Sequence, residues 1–148
     1  MADSKSKDLN PKDGVGIRKV PLSTVPCGPL LEVGLAMMEG GRKYGRANFR
    51  AKGAAVRASV YYDAFQRHLM AWFEGQDIDP DSGLSHITKA IAGLIVLRDG
   101  MLSGNWIDDR PISNPINLSD LNAKAAAIID KYPDSKEPFT QKGTEASE

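Results

Sequence analysis

The sequence has a single cysteine, no surplus of charge, no long apolar run and no convincing strand pattern. The lone Cys27 excludes an internal disulfide and any zinc centre built from several thiolates. Its Pro-Cys-Gly-Pro setting points to no reactive role. Lysine plus arginine and aspartate plus glutamate both number 19, so no net positive field argues for a nucleic-acid partner. No stretch approaches the roughly 20 apolar residues of a membrane span, so no membrane partner is expected. The opening MADSKSKDLNPKDG lacks the apolar core of a secretory signal. These absences suggest a soluble intracellular protein. At 148 residues the chain is large enough for one domain with its own core.

What the sequence does have is helical periodicity. Residues 1–10 and the tail 133–148 are polar and read as disordered, leaving a single all-α domain over 11–132. A first helix is expected from Pro29 to Gly40, with Leu30, Leu31, Gly34, Met37 and Met38 inward and a Gly-Gly pair as its stop. A second spans Ala54 to Phe73, with Tyr61, Ala64, Phe65, His68, Leu69 and Trp72 as its stripe. A third runs from Leu84 to Leu102, turning Ile87, Ala90, Ile91, Leu94 and Ile95 inward. After the proline-rich NWIDDRPISNP comes a fourth, Leu118 to Lys131, striped by Leu121, Ala125, Ile128 and Ile129. Four amphipathic helices without strands define an all-α bundle.

Between the second and third helices lies EGQDIDPDSGLSH, residues 74–86. Its acids at Asp77, Asp79 and Asp81 alternate as in a calcium loop. The spacing then fails, because the sixth position is Ser82 instead of glycine and the twelfth is Thr88 instead of glutamate. Asp81 or Ser82 can instead cap the third helix, where a side-chain oxygen meets unpaired N–H groups. His68 lies on the second helix and His86 opens the third, so the connecting hairpin brings both imidazoles toward Asp77 and Asp79. Such an oxygen-rich set with two histidines suits Mg²⁺ or Mn²⁺. No His-Asp dipeptide is present, which excludes a phosphohydrolase of the HD type.

A second acidic set comprises Glu32 and Glu39, seven apart on the first helix, with Asp63 on the second and Asp99 near the end of the third. Carboxylates converging inside a bundle are a common way to hold catalytic metals. The segment GRKYGRANFRAKGAAVR, residues 41–57, carries six cations and no anion. Within it Lys43, Tyr44, Asn48 and Arg50 offer charge for phosphate and an aromatic face and amide for a base.

The ordered blocks NPKDGVGIRKVPLS (10–23), EGGRKYGRANFR (39–50), VRASVYYDAFQRHLMAWFEGQDIDPDSG (56–83) and DDRP (108–111) resemble the phage dATP/dGTP diphosphohydrolase family, related to the MazG-like all-α nucleoside triphosphate pyrophosphohydrolases. The resemblance implies a four-helix-type bundle of the MazG-like kind. It also implies metal-dependent hydrolysis of dGTP or dATP to monophosphate and pyrophosphate, in the cytoplasm of an infected host. Homo-oligomers, dimers or tetramers, are implied as well. The MazG pattern has EExxE on one helix and ExxD on its partner. Setting its last Glu on Glu39 and its Asp on Asp63 leaves Leu35, Ala36 and Val60 where the other acids belong. On this footing Glu39 and Asp63 are the catalytic candidates. Glu32, Glu39, Asp63, Asp77, Asp79, His68 and His86 are the metal candidates, and Lys43, Tyr44, Asn48 and Arg67 the substrate candidates. Two alternatives stay open: a non-catalytic helical module binding nucleotide or a partner, and a nucleic-acid accessory protein using residues 41–57.

Overall fold

The computed structural model describes residues 10–141; the disorder expected of residues 1–9 and 142–148 falls outside them. Packing divides the chain into two compact units, Met1–Arg110 and Pro111–Glu148. The division falls inside the span 11–132 that the sequence suggests as one domain.

The first unit opens with a helix that the periodicity hid, α1 over Pro11–Gly16. The Asn10 side chain caps it by accepting from the Lys12 backbone N–H at 3.0 Å, and Pro11 supplies a φ suited to a first helical position. At six residues the helix is too short to display a stripe. α2, Cys27–Tyr44, outruns the expected Pro29–Gly40. Gly40 and Gly41 stay helical, and the chain turns away only at Gly45, whose φ of 96° suits glycine alone. The extra turn sets Lys43 one turn beyond Glu39. It also places Arg42 and Lys43 at the carbonyl end of the helix, where cations are favoured.

The loop after α2 includes a 3-10 turn at Asn48–Arg50. Its Arg50 guanidinium grips Asp99 through two hydrogen bonds of 2.9 and 2.5 Å. The Asn105 amide donates to the Phe49 carbonyl at 2.8 Å and to that of Ala51 at 3.3 Å. Two short strands correct the strand-free expectation. β1, Val56–Arg57, pairs in parallel with β2, Trp106–Ile107, placing Val56 against Trp106 and Arg57 against Ile107. Two residues cannot show an alternating pattern, so neither strand is legible from periodicity.

α3, Ala58–Phe73, follows β1, and α4, His86–Ser103, precedes β2. They run antiparallel: Val56, at the head of α3, lies against Gly100 late in α4, while His68 meets His86 at the start of α4. The N-terminus of α3 is capped from a distance, since Asp109 accepts from the Ser59 N–H at 2.9 Å and from its hydroxyl. The cap of α4 is Ser85, whose Oγ accepts from the Ile87 N–H at 3.2 Å. That corrects the expectation of Asp81 or Ser82, which lie too early because the hairpin first closes through an Ile78–Ser85 bridge.

α4 is the centre of the core. Its residues Thr88, Ala92, Val96 and Gly100, four apart along one face, are buried beside His86 and Ala90. α2 answers with Val33 and Ala36, and Met37, Leu84 and Ile91 pack around them. Small residues let helix axes approach closely. The larger residues expected inside are outside: Leu31 is 73% exposed, Met38 60% and Leu94 44%, with Leu30 and Ile95 exposed too. Both α2 and α4 are apolar on more than one side, and the side with the smaller residues makes the contact. The α3 stripe fits better, since Tyr61, Ala64, Phe65 and His68 are half-buried, although Leu69 and Trp72 are exposed.

In the second unit α5 occupies Leu118–Lys131, as its periodicity predicts. Asn117 caps it, accepting from the Asp120 N–H at 3.1 Å. Its Leu121, Ile128 and Ile129 are exposed. The all-α class holds, and among the described residues no helix is long and apolar enough to cross a membrane.

Candidate functional site

The last half of α2, the start of α4 and the hairpin between α3 and α4 come together around Glu39. Its carboxylate accepts from the Lys43 ammonium at 2.6 Å and from the Lys89 ammonium, across on α4, at 2.5 Å. Lys43 also lies 3.5 Å from Asp81. The two acidic sets that stand apart in the sequence therefore meet through one lysine. Hydrogen bonds from Lys43 and then Lys89 hold the Glu39 carboxyl below the usual glutamate range, against a smaller opposing effect of burial. Next to this pair the Thr88 hydroxyl donates to Glu32 at 2.8 Å.

The imidazoles form a second cluster. His68 Nδ1 and His86 Nδ1 are 2.8 Å apart, and His86 Nε2 is 3.0 Å from Gln76 Oε1. A neutral imidazole carries one N–H, so a contact between two Nδ1 atoms needs one donor and one acceptor. With the Gln76 oxygen accepting from His86 Nε2–H, His86 Nδ1 accepts from His68 Nδ1–H, and the His68 Nε2 lone pair is left over. Burial lowers the His68 pKa most; Asp79 opposes that, while His86, Lys89 and Arg67 reinforce it. Asp79 itself organises the turn, accepting from the Ser82 hydroxyl at 2.7 Å and the Asp81 N–H at 3.3 Å. These bonds, the Ser82 hydroxyl first, hold its carboxyl below the usual aspartate range.

A cavity of about 790 Å³ opens beside Glu39. Its walls include Tyr44 and Asn48 from the loop end of α2, Tyr61 from α3 and Lys89 from α4, with Arg42 and Arg46. Gly40, Gly41, Gly45 and Gly93 leave the backbone bare along it. The combination is chemically specific in kind: cations for an anion, rings for a flat face, and an amide able both to donate and to accept.

The expected residues are therefore only partly gathered. Glu39, Lys43, Tyr44 and Asn48 stand at or beside the cavity, and Glu32 is bound to α4. Asp79, His68 and His86 form the adjacent hairpin cluster. Asp63, Arg67 and Asp77 are exposed and join none of the pairs described. Among the described residues no three His, Cys, Asp or Glu side chains are grouped so as to hold a metal ion. Glu39 is already engaged by two ammonium groups and the histidines by one another. The donor set of one chain, as arranged, does not fit a resident divalent cation. Sequence reasoning does not single out Lys89, Thr88 or Gln76 as members of the site. The available signal for Lys89 is its isolation, as the one Lys, Arg, Asp or Glu in the first half of α4.

Fold and site together define a class, an all-α protein with a cation- and tyrosine-lined cavity beside a carboxylate–lysine–histidine cluster. The family described as "dATP/dGTP diphosphohydrolase, N-terminal" matches residues 9–110, which is the first unit almost end to end, and the chain belongs to that family. It is 32% identical over 79 residues to a dATP/dGTP diphosphohydrolase of Salmonella phage PMBT28, covering 53% of this chain and 26% of that relative. The match thus spans only about a quarter of that relative's length. No solved structure matches the chain.

Proposed function

We propose that this chain hydrolyses purine deoxynucleoside triphosphates, dGTP or dATP, to the monophosphate and pyrophosphate. The observation that carries the reading is the cavity, where Tyr44, Tyr61 and Asn48 share a wall with Arg42, Arg46 and Lys89. Its volume of about 790 Å³ lies within the roughly 300–1,000 Å³ of small-ligand sites. The family's description and the name of the phage relative support the same substrate. In the reaction a water oxygen bonds to the α-phosphorus, the bond from that phosphorus to the bridging oxygen breaks, and pyrophosphate leaves with its charge. Cations about the cavity offset that charge as it develops. The water's proton passes to a nearby base, and the neutral His68 with its Nε2 lone pair and the carboxylates of this cluster are the groups of suitable type.

Mg²⁺ or Mn²⁺ enters this reading as part of the substrate, a metal complex of the triphosphate. The exposed apolar side chains of α2 and α3 support assembly with further copies of the chain, as a dimer or tetramer. The working place is the cytoplasm of a phage-infected cell, where the substrate occurs. The test is a product assay with dGTP and dATP, each with Mg²⁺ and with Mn²⁺, that separates pyrophosphate from phosphate. Pyrophosphate is the expected product; none from any common nucleoside triphosphate would remove the reading. A second reading is favoured by the neutralised Glu39: a nucleotide-binding module without turnover. It would show thermal stabilisation by dGTP with no product formed.

A further inference from the structure

Lys89 stands at the junction of the two clusters. Its ammonium bonds Glu39 at 2.5 Å, its side chain lines the cavity, and its charge reaches His68. It is mostly buried, at 20% side-chain exposure, where a surface lysine such as Lys43 keeps 45%. Placing an ammonium there costs desolvation, which is offset only by a well-placed anion. Glu39 is that anion, yet it is shared with Lys43, so two ammonium groups face one carboxylate. Lys43 has the exposed Asp81 as a second anion, whereas the cavity that Lys89 lines also receives Arg42 and Arg46 and, among the described residues, no carboxylate.

We propose that Lys89 is a phosphate-binding residue of the cavity, and that Glu39 is its positioning residue instead of a metal ligand. The inference rests on the reading above that the substrate carries a polyphosphate. Glu39 holds the Lys89 ammonium at the cavity wall until a polyphosphate supplies a further anion there. A carboxylate bonded by two lysines presents its remaining lone pairs in a cationic setting, which disfavours a divalent cation there. An acid that motif alignment nominates for metal is thus turned to ordering cations. Leu35 and Ala36, standing where the family pattern has its companion acids, accord with this, because they leave Glu39 with no carboxylate one turn before it on α2.

The test is calorimetric titration of the full chain with inorganic tripolyphosphate in EDTA, alongside Mn²⁺ titration followed by electron paramagnetic resonance. Lys89→Met is expected to weaken tripolyphosphate binding by about tenfold or more, the loss of one charge-assisted contact. Lys89→Arg should restore part of it, which a purely structural role would not do. In Glu39→Gln the amide oxygen still accepts from Lys89 while the competing anion is gone. This variant should bind tripolyphosphate at least as tightly as the parent and give the same Mn²⁺ titration. Tripolyphosphate binding by Lys89→Met within about twofold of the parent, with its melting temperature retained, would overturn the proposal. So would loss in Glu39→Gln of Mn²⁺ binding that the parent shows, or failure of the parent to bind tripolyphosphate. A parent that binds tripolyphosphate through Lys89 yet releases no pyrophosphate from dGTP or dATP would sink the proposed reaction and leave this inference standing.

Discussion

His68 shows how much one side chain owes to its surroundings. Its stripe position on α3 by itself favours a core residue over a ligand, and in the fold it bonds His86 at 2.8 Å. The groups facing it are Asp79 from the hairpin, His86 and Lys89 from α4, and Arg67 on its own helix. With burial the leading cause, its pKa lies below the unfolded value of about 6.5. The unfolded chain therefore binds more protons near that pH, so stability is fully present above it and declines as pH falls toward the folded pKa. Urea midpoints measured from about pH 7.5 down to 5.5 should fall for the parent and fall less steeply for His68→Gln. Parallel profiles would show that His68 does not carry the dependence. Glu39 adds a separate decline in more acid solution, because its lowered pKa makes the ion pairs fail only below the ordinary carboxylate range.

At the scale of elements, the decisive contact is glycine against valine. A Cβ on Gly100 would stand 3.3 Å from the Val56 Cβ and 3.2 Å from the Asn105 carbonyl oxygen. A side chain at that point would force Val56 or the Asn105 carbonyl to give way where the β1–β2 pair sits on the end of α4. Gly100→Val should destabilise the chain by roughly 1–3 kcal/mol through overpacking, seen as a lower urea midpoint. Gly34→Ala on α2, where a Cβ meets nothing within 4 Å, should instead stabilise by roughly 0.5–1 kcal/mol. An equal loss in both would deny the close approach its role. The DDRP block is explained at this scale as well. Asp109 caps α3 and lies 3.6 Å from Arg57, while Arg110 pairs with Asp108 at 2.7 Å and lies over Trp106. A motif met as a family signature turns out to fasten the head of α3.

For the molecule as a whole, the unexpected feature is how much apolar surface the first unit leaves uncovered. Leu31 and Met38 on α2 are exposed, as are Met70, Trp72 and Phe73 on α3, with Phe73 at 83%. An exposed apolar group such as Met70, Trp72 and Phe73 at the end of α3 marks an interface more often than free surface. The full chain is expected to sediment as a dimer or tetramer at micromolar concentration. Met70→Lys with Phe73→Lys should shift it toward the monomer without loss of helical circular dichroism. A parent that sediments as a monomer at all concentrations would count against assembly through this surface.

The helices α3, α4 and α5 were legible because their apolar spacing persists over several turns, a signal that needs no knowledge of neighbours. α5 was legible to its end residues, since both Asn117 and the last periodic position mark it locally. Family membership was legible too, carried by linked blocks in order. Tertiary structure alone decided which side of α2 and α4 is inward, since apolar residues occur on more than one side and only close packing selects Val33, Ala36, Ala92 and Val96. It alone brought Lys89 to Glu39, fifty residues apart in sequence, and linked Lys43 to Asp81. Residue type fixes what a side chain is able to bond; distance in space, which periodicity does not contain, fixes what it does bond.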